Sequence, residues 1–225
     1  MTDSYPRSVA DLLQWVAEDV RVNLRRAGPL GALAAMSLRL GQYGARGHGP
    51  LAAAFRWLSL LTTAFARLAL NVELPRGLSC GRRLVLPHGG RGVVVHPDVE
   101  LGDDVCLMHQ VTIGAAYPRS GVPRIGNGVF VGVKASILGD LQVGDGALVA
   151  AHALVVREVP AGMVAMGVPA QARVPAPATA GHPSAREAAR ADADSGRSPN
   201  ADAPDFDTRR GVSGMQGRRG RRPSS

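Results

Sequence analysis

Aromatic side chains make up only 4% of this 225-residue chain, cysteine occurs twice, and Lys134 is the only lysine. Each scarcity excludes something. With so few rings, any core must be aliphatic. Two cysteines in a chain of this length rule out a disulfide framework and fit a reducing compartment. The net charge of +8 is carried almost wholly by arginine, a bias that a GC-rich genome explains as well as selection for charge does. Six arginines with no acid lie between Arg209 and Arg222, outside any expected core. A basic balance can serve nucleic acid or membrane contact. No recognised nucleic-acid module is present, however, so no nucleic-acid partner is expected. There is no P-loop, no dinucleotide fingerprint and no nucleophile elbow. Met1 to Arg7 contains no apolar signal region, so secretion is not expected and a cytoplasmic location is.

What the chain does have is a period of six. Val95, Leu101, Leu107 and Ile113 form one series, and Ile125, Val131, Ile137, Val143, Val149 and Val155 form another. All ten positions are Val, Leu or Ile, and the residue four places on is small or branched, as at Val99, Val129 and Ala147. Helices repeat every 3.6 residues and ordinary strands every 2, so neither explains the pattern. Hexapeptide repeats specify stacked β-helical coils, each burying one face against the next. Leu74, Cys80 and Leu86 keep the rhythm upstream, and three residues are then inserted before Val95. A second interruption lies between Ile113 and Ile125, where Pro118, Ser120, Gly121 and Pro123 predict an excursion loop. Loops leaving a rigid scaffold are where function concentrates.

The expected organisation is mainly β. Residues 1–70 form a small α-helical region, residues 71–174 a parallel β-helix, and residues 175–225 a disordered basic tail that cannot bury enough apolar surface to order itself. The first helix should run from Ser8 to about Arg26, with Ser8 and Asp11 as a capping box and Val9, Leu12, Leu13, Val16 and Val20 on its apolar face. A second should cover Leu30 to about Gln42, followed by a loop from Tyr43 to Pro50. Leu51 to Leu70 is long enough to span a bilayer. Arg56, Ser59, Thr63 and Arg67 share one helical stripe there, and arginines at depth are costly in lipid. A helix packed at a domain or subunit interface is therefore the main reading, and membrane association the lesser one.

A β-helix has no chemistry of its own, so function rests on side chains. Of six histidines, His48 and His182 fall in segments expected to face solvent. His88 and His109 lie 21 residues apart, which is one 18-residue coil plus the inserted three, so they should stack one coil apart on the prism. Histidine is the natural general base near neutral pH. With His96 they could form a metal cluster, although nothing in the spacing demands one and no metal is expected.

Several segments carry a family resemblance. They are Cys80-Gly-Arg-Arg-Leu-Val-Leu-Pro-His88, His109-Gln-Val-Thr-Ile-Gly114, Arg124-Ile-Gly-Asn-Gly-Val-Phe-Val-Gly132, Ile137-Leu-Gly-Asp140 and Gly167-Val-Pro-Ala170. Over about residues 70 to 172 the chain resembles the serine acetyltransferases and their hexapeptide-repeat relatives. The resemblance implies left-handed winding, assembly as trimers or dimers of trimers, and transfer of acetyl from acetyl-CoA to a hydroxyl. It puts the catalytic histidine on His88 and its orienting carboxylate on Glu73, with His109 as a second candidate. Acetyl-CoA would lie in a groove between subunits, against Gly126, Gly132, Ala135, Gly139, Gly167 and Ala170, with Arg173 near a coenzyme phosphate.

The departures from that family pattern bear on the acceptor. Pro87 stands where the family has an aspartate, and Gly121 and Val122 stand where an Arg-His pair helps hold the amino acid. The groups that would grip serine are therefore missing, and a sugar or other hydroxyl metabolite is the favoured acceptor, with L-serine as the alternative. Two readings from other classes are a metal-dependent β-helix hydratase like the γ-class carbonic anhydrases, using His88, His96 and His109, and a non-catalytic trimeric scaffold.

Overall fold

The computed structural model describes residues 5–118 and 120–175. The expected reading of 176–225, with His182 and the arginine-rich end, lies outside the described residues. Three helices lead into a left-handed parallel β-helix of short strands.

Helix α1 (Val9–Arg26) starts on the expected capping box. The Ser8 hydroxyl accepts from the Asp11 N–H at 3.0 Å, and the Asp11 carboxylate accepts from the Ser8 N–H at 2.9 Å. Its buried stripe is not the apolar face expected. Leu12 and Trp15 are buried, but so are Asp19 and Asn23, while Leu13 is exposed. The polar members point inward because they have partners there. Asn23 donates to the Leu84 carbonyl at 2.7 Å and accepts from the Leu86 N–H at 3.0 Å. Asp19 pairs with Arg39 at 2.6 Å, both fully buried. Burial pushes the Asp19 carboxyl above the usual carboxylate range, against the pull of Arg39. Arg39 also donates to Gln42 at 2.9 Å and to the carbonyls of Cys80 and Gly81 at 2.8 and 2.5 Å, and its guanidinium lies 5.1 Å from the Trp15 ring centre. Gln42 donates to the Leu78 carbonyl at 2.8 Å. Polar side chains of α1 and of helix α2 (Pro29–Arg46) thus close over the first coil.

Helix α2 runs four residues past the expected end, through Tyr43 and Gly44. Gly44 is not a loop signal. A Cβ there would sit 2.7 Å from the backbone of Arg56, so the glycine lets the next helix approach. That helix, α3 (Pro50–Leu70), is turned inside out. Its hydroxyl side chains face α2, where the Ser37 hydroxyl bonds Thr62 at 2.9 Å and meets Thr63 at 3.2 Å, and Ser59 is buried, while Arg56 and Arg67 of the expected stripe are exposed. Trp57, Leu61, Phe65 and Leu68 face solvent. No helix among the described residues is long and apolar enough to cross a membrane.

The β-helix has three walls. The first stacks Val94–Val95, Thr112–Gly114, Ser136–Leu138 and Leu154–Val155 in parallel, with Glu73 bridged to Val94 at its start. The second stacks Ser79–Cys80, Glu100–Leu101, Arg124–Ile125 and Gln142–Val143, and Val159 bridges to its end. The third begins with Val85 bridged to Cys106 and stacks Cys106–Leu107, Phe130–Val131, Leu148–Val149 and Val164–Gly167. It ends with Ala170–Arg173, which pairs antiparallel to Val164–Gly167.

Each residue of the two aliphatic series fills the second place of a strand and is at most 4% exposed. The registers match identical hexad positions, as in Leu101↔Ile125 and Ile113↔Ile137, so the period of six is the coil itself. Cys80 lies inside the prism. Burial pushes the thiols of Cys80 and Cys106 up to about 11. At pH 8, about 0.1% of each is then thiolate. The folded protein is therefore expected to show no fast reaction with a thiol reagent, and both thiols should react after denaturation. Rapid labelling of the native chain would contradict this burial.

Candidate active site

Both interruptions of the repeat occur at edges of the prism. The three inserted residues fall where the third wall turns into the first. His88, Gly89, Gly90 and Gly92 all have positive φ there, at 57°, 75°, 66° and 69°. Glycine tolerates that region freely and a histidine rarely adopts it. The insertion is therefore spelled mostly in glycine, and His88 is the side chain the turn pushes outward. His109 occupies the matching place one coil on. The two rings meet edge to face, 5.1 Å between centres and 90° between planes, as the 21-residue spacing predicts. His88 is exposed, and His109 is half-buried with its Nδ1 enclosed and unbonded among the described residues.

An open cavity of about 720 Å³ lies against this pair. The end of α3 supplies Leu68, Ala69, Leu70 and Asn71, and the edge supplies His88, Arg91, Gly92, His109 and Gln110. Arg91 is the only Arg, Lys, Asp or Glu side chain in this lining, and among the described residues it has no acidic partner.

Glu73 does not join this site as the resemblance implies. Its carboxylate is half-exposed and lies 3.9 Å from the Arg67 guanidinium, and no hydrogen bond links it to His88 among the described residues. The start of the first wall brings its backbone beside Val94, but its side chain follows the nearby arginine of α3.

His96 is on a different edge, between the first and second walls, with Nδ1 3.8 Å from Asp98. The three histidines therefore do not converge, and among the described residues no three His, Cys, Asp or Glu side chains gather as a metal site.

The residues assigned to the coenzyme divide among three edges. The Gly132 and Ala150 amides donate to Val149 and Ala165, so Gly132 and Gly167 continue the edge that begins at His88 and His109. From His88 to Gly167 is four coil steps, about 19 Å at strand spacing. This edge could hold an extended pantetheine arm. Ala170 pairs with Gly167 at the same edge, and Arg173 lies at the other side of the wall, opposite Val164. Ala135 is fully buried just inside the turn and offers no surface. Gly126 sits on the edge between the second and third walls. Gly139 sits between the first and second, beneath the excursion loop, with its N–H bonded to the Gly114 carbonyl at 2.9 Å. Within one chain, Gly126 and Gly139 thus lie on edges other than the one that carries His88. Sequence reasoning missed Arg91, Asn71 and Gln110 because only the fold brings α3 against this edge.

No family model matches the chain. It is 36% identical over 119 residues to the serine acetyltransferase of Helicobacter pylori, spanning 52% of this chain and 69% of that one. It is 35% identical over 118 residues to the serine acetyltransferase of Mycobacterium tuberculosis, of which the matched part is about half, 51%. Among solved structures, soybean serine acetyltransferase complexed with serine superposes with a TM-score of 0.62 at 27% identity, covering 72% of this chain and 69% of that one. With the hexad prism, the paired imidazoles on its glycine-rich edge and the Helicobacter pylori relative matched over two thirds of its length, the chain belongs to the serine acetyltransferase family of acetyl-CoA-dependent acyltransferases.

Proposed function

We propose that this chain is an L-serine O-acetyltransferase, converting L-serine and acetyl-CoA to O-acetylserine and CoA. The observation that carries the reading is the match to serine acetyltransferases over about two thirds of the length of the Helicobacter pylori enzyme. The preference for a sugar acceptor rested on Pro87, Gly121 and Val122, and it gives way because the curated and structural relatives are serine enzymes. A carboxylate grip is available from another quarter. Arg91, which has no acidic partner among the described residues, is a guanidinium in the cavity beside His88, suited to hold a carboxylate with two parallel hydrogen bonds.

The chemistry follows from the edge. The His88 imidazole takes the proton of the serine hydroxyl as its oxygen attacks the thioester carbonyl carbon. The C–O bond forms, the tetrahedral intermediate collapses with cleavage of the C–S bond, and the imidazolium returns its proton to the departing CoA sulfur. His109, packed edge-on, fixes the plane of the His88 ring. The pantetheine arm follows the edge past Gly132 toward Gly167 and Ala170. Gly139 and the excursion loop would join the site only from a neighbouring copy, which is the role we assign to a homotrimer. Sedimentation should then give three times the 23.4 kDa chain mass.

The test is CoA release from acetyl-CoA with L-serine and with a panel of sugars. Serine-dependent release is expected, and release with a sugar but not with serine would sink the reading. Arg91→Ala should raise the KM for serine roughly 10- to 100-fold, the cost of a lost charge-assisted contact, and leave the KM for acetyl-CoA unchanged. An unaltered serine KM would remove Arg91 from the acceptor site.

A further inference from the structure

Helix α3 carries its apolar residues on the wrong side for a bundle helix. Ala52, Ser59, Ala66 and Leu70 face the protein, and every one except Leu70 is small. Trp57, Leu61 and Leu68, at 71%, 70% and 90% exposure, lie on the opposite face with Phe65 beside them. Isolated exposed leucines need no explanation, but a continuous aliphatic and aromatic face along about three turns does.

Charge decides between the surfaces that could cover it. Between Asp19 and Glu73 the chain has seven arginines and no acid. Arg56 and Arg67 are exposed along one flank of the face, eleven residues and so about 16 Å apart. Arg67 has Glu73 at 3.9 Å, and Arg56 has no acidic partner among the described residues. A second copy of α3 fits poorly. Antiparallel two-fold packing centred near Leu61 would set Arg56 against Arg67 of the other copy. An anionic lipid surface meets both features together. It takes the apolar face into its interfacial layer and the guanidinium groups onto its phosphates, and tryptophan is suited to that depth.

We infer that α3 is a peripheral membrane-docking helix, which lays Trp57, Leu61, Phe65 and Leu68 into the headgroup region of an anionic bilayer with Arg56 and Arg67 on lipid phosphates. The helix lies on the surface and does not cross it. Its last turn lines the cavity at His88, so docking holds the active site against the headgroups. The inference does not depend on which acceptor the enzyme uses.

The full chain would be mixed with vesicles of phosphatidylglycerol and phosphatidylcholine, and separately with phosphatidylcholine alone, and followed by co-flotation and tryptophan emission. Trp15 is buried and Trp57 exposed, so a blue shift reports on α3. Binding to the anionic vesicles, weakened by salt and accompanied by a blue shift, is expected. Leu61→Glu should weaken binding roughly 10- to 100-fold and leave CoA release in solution unchanged. Binding that survives Leu61→Glu without a blue shift would assign the affinity to another basic segment and overturn the proposal. Absence of binding, with Leu61→Glu lowering the oligomer mass, would give the face to a second copy and overturn it equally.

Discussion

Replacing His88 by alanine is expected to lower kcat about 10²- to 10⁴-fold, the usual contribution of a positioned general base, and to change the KM for acetyl-CoA little. The side chain is exposed and no hydrogen bond of it is found among the described residues, so thermal stability should stay within about 0.5 kcal/mol of the parent. That separates a chemical loss from a folding loss, which far-ultraviolet circular dichroism and a melting curve on the same sample would verify. Single-turnover mixing with saturating serine reads the chemical step directly. If the rate is unchanged, His88 is not the base, and His109, 5.1 Å away, becomes the next candidate. His109→Gln in the parent background should cost less than His88→Ala, because it removes only the packing that fixes the ring plane.

The second large effect is expected far from the chemistry. Arg39→Met should destabilise the fold by about 3–5 kcal/mol, the cost of leaving a buried partner charge uncompensated. Asp19 would be left fully buried without its guanidinium, the Gly81 carbonyl would lose its guanidinium donor, and the Cys80 carbonyl would keep only Gln42, at 3.3 Å. Asp19→Leu in the same chain should recover part of the loss, since an apolar pair avoids the stranded charge. Thermal melts of the two single variants and the double variant close the cycle. Hydrogen exchange would locate the damage: protection should fall in α1 and α2 first, while Val131, Ile137 and Val149 in the middle coils keep theirs. Additive losses in the cycle would mean the two side chains do not act as a pair.

The two effects mark how far the sequence could be read. The prism was legible because each hexad position has one environment. An inward residue such as Ile137 meets only others like it, so a single rule repeats ten times. The His88–His109 contact was legible for the same reason, since counting residues in a fixed coil is counting distance. The helices obey no such repeat. Asp19 and Asn23 looked like ordinary polar residues because their partners, Arg39 and the Leu84 and Leu86 backbone, lie 20 or more residues away in the chain. Gly44 read as a loop because a close helix approach and a turn both call for glycine. Glu73 was placed by the family resemblance alone, and alignment fixes where a backbone sits but not which nearby side chain its carboxylate follows. The coenzyme glycines spread over three edges for a similar reason, because a hexad position specifies depth within a wall without saying which edge the turn belongs to.

A stack of identical coils has no intrinsic last member. The groups that bond one coil to the next would bond a coil of another molecule just as well, so the repeat by itself encodes a polymer. Here growth is terminated chemically at both ends. At the first coil, Arg39, Gln42 and Asn23 occupy the carbonyls of Leu78, Cys80, Gly81 and Leu84 that an added coil would use. At the last, the chain reverses, and Ala170–Arg173 runs antiparallel along Val164–Gly167, presenting a wall whose direction no incoming hexad matches. Exposed ladder edges are templates for aggregation. The helical clasp and the terminal hairpin therefore decide whether this sequence exists as discrete enzyme molecules or as fibre.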